Sequence, residues 1–122
     1  MLAKKKILVV DDEPLVCEAV KMLLEFDGHE VVTAGNGNEA LVLFDRGGFD
    51  LVITDYTMPG MKGDELALAV KARVPGQPVI MITAHAEMLK TKTVPLVGVD
   101  YLVSKPFQIE DLREAIKKTT AH

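Results

Sequence analysis

Only one cysteine, Cys17, occurs in these 122 residues, and there is no tryptophan. A single thiol excludes an internal disulfide and fits a reducing compartment. No apolar run approaches the roughly 18 residues that a membrane-spanning helix needs. The basic stretch Met1 to Lys6 is followed only by the short run Ile7 to Val10 before Asp11 and Asp12 intervene. That is too little for a secretory leader, and a cytoplasmic protein is expected. Positive charge is also scarce. The formal net charge is −4, and the only basic clusters, Lys4 to Lys6 and Lys117 to Lys118, lie near the termini. Direct binding to nucleic acid is therefore not expected. Linkers and low-complexity segments are absent, so residues 1–122 are expected to form one domain.

What is present is an alternation. Ile7-Leu8-Val9-Val10 is a continuous apolar run, as in a strand buried on both faces. Pro14 follows where a first helical turn tolerates proline, and Val16, Ala19, Val20, Leu23 and Leu24 recur at helical spacing up to Gly28. The pattern repeats with Val31 to Ala34 and a helix from Asn38 to Arg46. It repeats again with Leu51 to Thr54 and a helix from Gly63 to Arg73, and then with the strand Val79 to Ile82. The last strand is expected at Tyr101 to Ser104 and the last helix at Ile109 to Lys118. Between them, residues 86–97 should hold a short or distorted helix, because Thr91, Thr93, Val94 and Pro95 disfavour a regular one. Five strand-then-helix units predict an α/β protein with a parallel sheet covered on both faces.

In such sheets the site lies beyond the carboxyl ends of the strands. The residues there are Asp11, Asp12 and Glu13 after the first strand, Asp55 after the third, Thr83-Ala84 after the fourth and Lys105-Pro106 after the fifth. Converging carboxylates repel one another and raise their pKa values, or else bind a cation. Hard oxygen ligands suit Mg²⁺. With Lys105 as a second positive charge, the set predicts phosphoryl transfer. Asp55 is the nucleophile, Lys105 and Mg²⁺ offset charge on the transferring oxygens, and Thr83 bonds the new phosphoryl group.

These motifs, together with Met58-Pro59-Gly60-Met61 and Gly63 behind Asp55 and Phe107 behind Lys105-Pro106, resemble the response-regulator receiver domains of two-component signalling, of the chemotaxis-regulator type. The resemblance covers nearly the whole chain. It implies a doubly wound (βα)5, flavodoxin-like fold with strand order 2-1-3-4-5. It also implies a phosphohistidine on a sensor histidine kinase or phosphotransfer protein as donor, and a downstream protein or output domain as recipient of the signal. The Mg²⁺ would be shared by Asp12, Asp55 and the backbone carbonyl of Thr57, with Asp11 acting through water. The Lys105–Pro106 bond would be cis. Such a domain labels and unlabels itself but turns over no foreign substrate. Its switch pairs Thr83 with an aromatic residue three places before the lysine. Here that place holds Leu102, and Tyr101 stands one earlier. Either Leu102 fills the switch position or a bulge re-aims Tyr101. Thr57 and His85, each two residues past a site residue, stand where the family tunes phosphoryl lifetime. The signal would emerge on the face around the fourth unit, the fifth strand and the last helix.

Taken singly, these residues also suit ordinary structural roles. The Asp-Asp-Glu run could merely complement a helix dipole. Cys17 reads as a small helix residue, and His29 carries no signal. Gly35-Asn36-Gly37-Asn38-Glu39-Ala40 matches a dinucleotide fingerprint. It follows the second strand, however, and reads as a turn and helix start. A phosphohydrolase using Asp55 would need a cap over its substrate, and no insertion is long enough to form one.

Overall fold

The computed structural model describes residues 4–84 and 98–120. The elements run β1 (Lys6–Val10), α1 (Pro14–Phe26), β2 (Glu30–Ala34), α2 (Gly37–Arg46), β3 (Leu51–Asp55), α3 (Gly63–Arg73), β4 (Val79–Thr83), β5 (Tyr101–Ser104) and α4 (Ile109–Thr120). All strand pairs are parallel, and the order is β2-β1-β3-β4-β5. This is the expected doubly wound order. The strand order reverses between β1 and β3, whose carboxyl ends lie side by side at the usual place for a site.

Strand side chains alternate between two apolar layers. Ile7, Val9, Leu51, Ile53, Ile80 and Ile82 pack against Val20 and Leu24 of α1 and Leu112, Ala115 and Ile116 of α4. Leu8, Val10, Val52 and Val79 pack against Ala40 and Phe44 of α2 and Leu66, Ala67 and Val70 of α3. Each fully buried leucine or isoleucine contributes about 1.5–3 kcal/mol. The central strands are therefore the stiffest part of the molecule and a firm base for loops at their ends.

Several local expectations shift. On α1, Ala19 is exposed and Cys17 takes an inward position beside Val20 and Leu24. The helix is apolar nearly all round, with Leu15, Met22 and Phe26 exposed, so periodicity alone did not single out its buried side. α2 starts at Gly37 rather than Asn38. Asn36 caps it, its Oδ1 accepting from the Glu39 N–H at 2.8 Å, while the Gly35 N–H donates to Glu39 Oε1 at 2.8 Å. The glycine-rich run that mimics a dinucleotide fingerprint is thus a capped helix start. α4 continues past Lys118 to Thr120, where the Thr119 and Thr120 hydroxyls donate to the carbonyls of Ala115 and Ile116 at 2.8 and 2.6 Å. The helix expected in 86–97 lies outside the described residues. Arg113 of α4 forks Asp27 at the end of α1 through two 2.8 Å bonds. His29 is buried beside it, and its Nδ1 accepts from the Lys5 N–H at 3.0 Å.

Candidate functional site

Strands β1 and β3 end side by side, Val10 pairing with Thr54. Asp11 and Asp12 follow one and Asp55 closes the other. Carboxylate oxygens of these three residues lie within 4.8 Å of one another. Asp11 and Asp55 are buried, only 3% and 7% exposed, whereas Asp12 is exposed. Asp11 is fixed from both sides. Its N–H donates to the Ala34 carbonyl at 3.1 Å, and its Oδ1 accepts from the Glu13 N–H at 2.9 Å. Glu13 is then the N-cap of α1, with Pro14 as its first helical residue.

Lys105 reaches in from beyond β5. Its Nζ stands 3.3 Å from Asp55 Oδ1 and 3.5 Å from Asp11 Oδ2. Its own N–H donates to the Thr83 carbonyl at 2.9 Å, and its bond to Pro106 is cis. Burial pushes the Asp55 and Asp11 carboxyls above their usual range, Lys105 pulling both back only in part. Asp11 is raised further by the charge of Asp55. Burial alone would lower the Lys105 ammonium, but Asp55 and Asp11 outweigh it and hold the group protonated. Among the described residues one ammonium faces three clustered carboxylates and cannot neutralise them. The donor set is all oxygen and still short of positive charge, which fits a hard divalent cation.

Thr83 is buried at the end of β4, one step beyond Ile82, the register partner of Asp55. Thr57 is exposed in the loop after β3. Pairing is regular along β5, with Ile80, Met81, Ile82 and Thr83 opposite Tyr101, Leu102, Val103 and Ser104. No bulge re-aims Tyr101, which packs on the α1/α4 layer with Lys118 Nζ 5.9 Å from its ring centre. Leu102 shares the other sheet face with Met81 and Thr83. His85 lies outside the described residues. Two residues of the motif behind Asp55, quoted above for the resemblance but given no role there, support the loop. Met58 is buried, and Gly63 lies so close to the Asp55 carbonyl that no side chain fits there.

The chain is similar to proteins with the same layout. It is 39% identical to the chemotaxis protein CheY of Pseudomonas aeruginosa, over 93% of this chain and 94% of that one. It is 43% identical to the positive alginate biosynthesis regulatory protein of the same organism, over 93% of this chain but 46% of the relative. Indeed it spans about half the length of the first curated relatives it matches. Among solved structures, the response regulator TrrA of Thermotoga maritima in complex with Mg²⁺-BeF superposes with a TM-score of 0.86 at 39% identity, covering 94% of this chain and 98% of that one. A structure of histidine kinase ThkA in complex with TrrA gives 0.84, again at 39% identity, covering 94% and 97%. The family model described as the response regulator receiver domain matches residues 7–117, taking in every strand end that supplies the acidic pocket, and the chain belongs to that family.

Proposed function

We propose that residues 1–122 act as one phosphoacceptor switch. Asp55 takes a phosphoryl group from a phosphohistidine on a sensor histidine kinase or phosphotransfer protein. An Asp55 oxygen bonds to phosphorus as the donor P–N bond breaks, and the electron pair leaves with the donor imidazole. The observation that carries this is the Lys105 ammonium poised 3.3 Å from Asp55 in a pocket where the acids outnumber it. Lys105 stabilises charge on the transferring oxygens, and the Thr83 hydroxyl bonds the product. Bound Mg²⁺, held by Asp12, Asp55 and the Thr57 carbonyl with Asp11 through water, would supply the remaining positive charge.

Receiver domains are phosphoacceptors rather than enzymes acting on foreign substrates. The finer reading is that this chain catalyses only its own phosphorylation and dephosphorylation. The complex of a similar regulator with a histidine kinase supports the donor class. Phosphorylation shifts a pre-existing equilibrium of the surface offered to a downstream protein or output domain. Regular β5 pairing supports Leu102, rather than Tyr101, as the partner of Thr83 in that shift. Among the described residues no helix is long and apolar enough to cross a membrane, and the proposed place of action is the cytoplasm.

Intact-mass analysis after incubation with acetyl phosphate tests the reading. A Mg²⁺-dependent phosphoryl adduct, absent from Asp55→Asn, is the expected result. No adduct under conditions that label another receiver overturns it.

A further inference from the structure

Glycine is the default residue where the backbone demands a positive φ. Gly37 and Gly63 answer no such demand, since neither has a positive φ. Each stands where something presses on its Cα. A Cβ on Gly37 would lie 2.7 Å from Met61 Sδ, 2.8 Å from Met61 Cβ and 3.0 Å from Met61 Cγ. A Cβ on Gly63 would strike the Asp55 carbonyl oxygen. These two contacts bracket the loop that follows the acceptor. The loop is also closed on itself, because the Gly63 N–H donates to the Tyr56 carbonyl at 3.0 Å. Both of its ends are thereby fixed against β3 and α3. Met61 is half-buried, and its backbone is continuous with residues 57–60, so a displacement at Met61 Cβ is passed to that stretch.

We propose that the first turn of α2 is the back-stop of the acceptor loop, with Gly37 and Met61 as positioning residues for the chemistry at Asp55. Met61 rests on the bare Cα of Gly37 and packs on the layer formed by Val10, Ala40 and Leu66. This contact sets the path of Tyr56 and Thr57 beside the carboxylates. The inference rests on the phosphoacceptor reading for its functional consequence, but the contact itself can be tested without it. Helix propensity and the contact predict opposite results. A Gly-to-Ala change inside a helix otherwise raises stability. Here Met61 Cβ is tied to the backbone and cannot swing away as a side-chain tip would.

The test compares wild type, Gly37→Ala, Met61→Ala and a control, Gly35→Ala. Gly35 lies in the same turn, has no positive φ, and a Cβ there would meet no atom within 4 Å. Amide exchange across residues 56–62 is measured in metal-free protein. Mg²⁺ affinity and acetyl phosphate labelling are measured beside it. The expected result for Gly37→Ala and Met61→Ala is exchange that speeds up across 56–62 but not in β1 or β3. Labelling should slow roughly tenfold, the scale of sub-ångström misplacement, and Mg²⁺ should bind more weakly. Gly35→Ala should match wild type. Loop exchange and labelling unchanged in Gly37→Ala, with a higher unfolding midpoint, overturn the proposal. If Gly37→Ala fails to fold, Met61→Ala decides alone by the same criteria. If wild type itself takes neither Mg²⁺ nor label, the phosphoacceptor reading fails and with it the functional half of the proposal, while loop exchange still decides the contact.

Discussion

Among the described residues a single ammonium faces the three clustered carboxylates at the ends of β1 and β3, so its removal has two opposed effects. Lys105→Gln takes away the charge proposed to steady the transferring oxygens, and labelling of Asp55 should slow roughly 10²-fold. It also removes a competitor for the same oxygens, at 3.3 and 3.5 Å. Mg²⁺ should then bind at least as tightly as in wild type. Rapid-quench labelling and a Mg²⁺ titration on the same sample check both halves; weaker Mg²⁺ binding would mean that Lys105 mainly holds the pocket in shape. At this scale much was legible in the sequence. Asp11, Asp12, Asp55, Thr83 and Lys105 each come after an apolar run, and a parallel sheet carries the residues beyond its strands to one edge. The unequal burial of Asp11 and Asp12 was not legible, nor was the pressing of Met61 on Gly37. Both depend on how neighbouring elements meet.

Helix α2 begins on a reciprocal cap, and Asn36 supplies one half of it. Asn36→Ala should cost about 1 kcal/mol, read as a lower urea midpoint. The turn between α1 and β2 carries a different liability. His29 is buried, its Nδ1 already accepts from Lys5, and its Nε2 has no hydrogen-bond partner among the described residues. Burial lowers its pKa below 6.5, Lys5 adds to this, and Asp27 opposes it while itself held by Arg113. A folded-state pKa below the unfolded one gives stability that is complete above the unfolded value and lost as pH falls through the folded one. Wild type should therefore lose more stability than His29→Gln between about pH 7.5 and pH 5.5, in paired urea titrations. Equal losses would assign the acid sensitivity to the carboxylates instead. Element types and order were readable from periodicity. The misplacement of Ala19 came from a helix apolar on several sides, and the two further residues up to Thr120 carry hydroxyl bonds that no spacing announces.

The whole molecule is polarised along its strands. The acidic pocket crowns the carboxyl ends, while the Arg113–Asp27 fork and His29 lie toward the other end. Charge repulsion in the pocket opposes folding, and a cation that binds only the folded state relieves it. At about a hundredfold excess over its dissociation constant, Mg²⁺ should stabilise by about 2.7 kcal/mol, roughly 10 °C in Tm for a domain of this size. Thermal scans with and without Mg²⁺ check this, and Asp12→Asn should lose most of the rise. Strand order could not be derived from spacing, because β1 lies between β2 and β3 through contacts distant in the chain. It came from the family resemblance, and the observed order β2-β1-β3-β4-β5 bears it out.

Cys17 sits directly behind this pocket, its Sγ 3.4 Å from the Asp11 carbonyl oxygen and 3.8 Å from that of Ala34. Burial first, and then the Asp11 charge, raise its pKa. A thiol so placed reacts only when β1 and α1 part. The chain thus carries its own stopwatch for that opening. The rate at which a maleimide modifies Cys17 counts how often the rear wall of the acidic pocket comes ajar, and each occupant that steadies the front should slow the count.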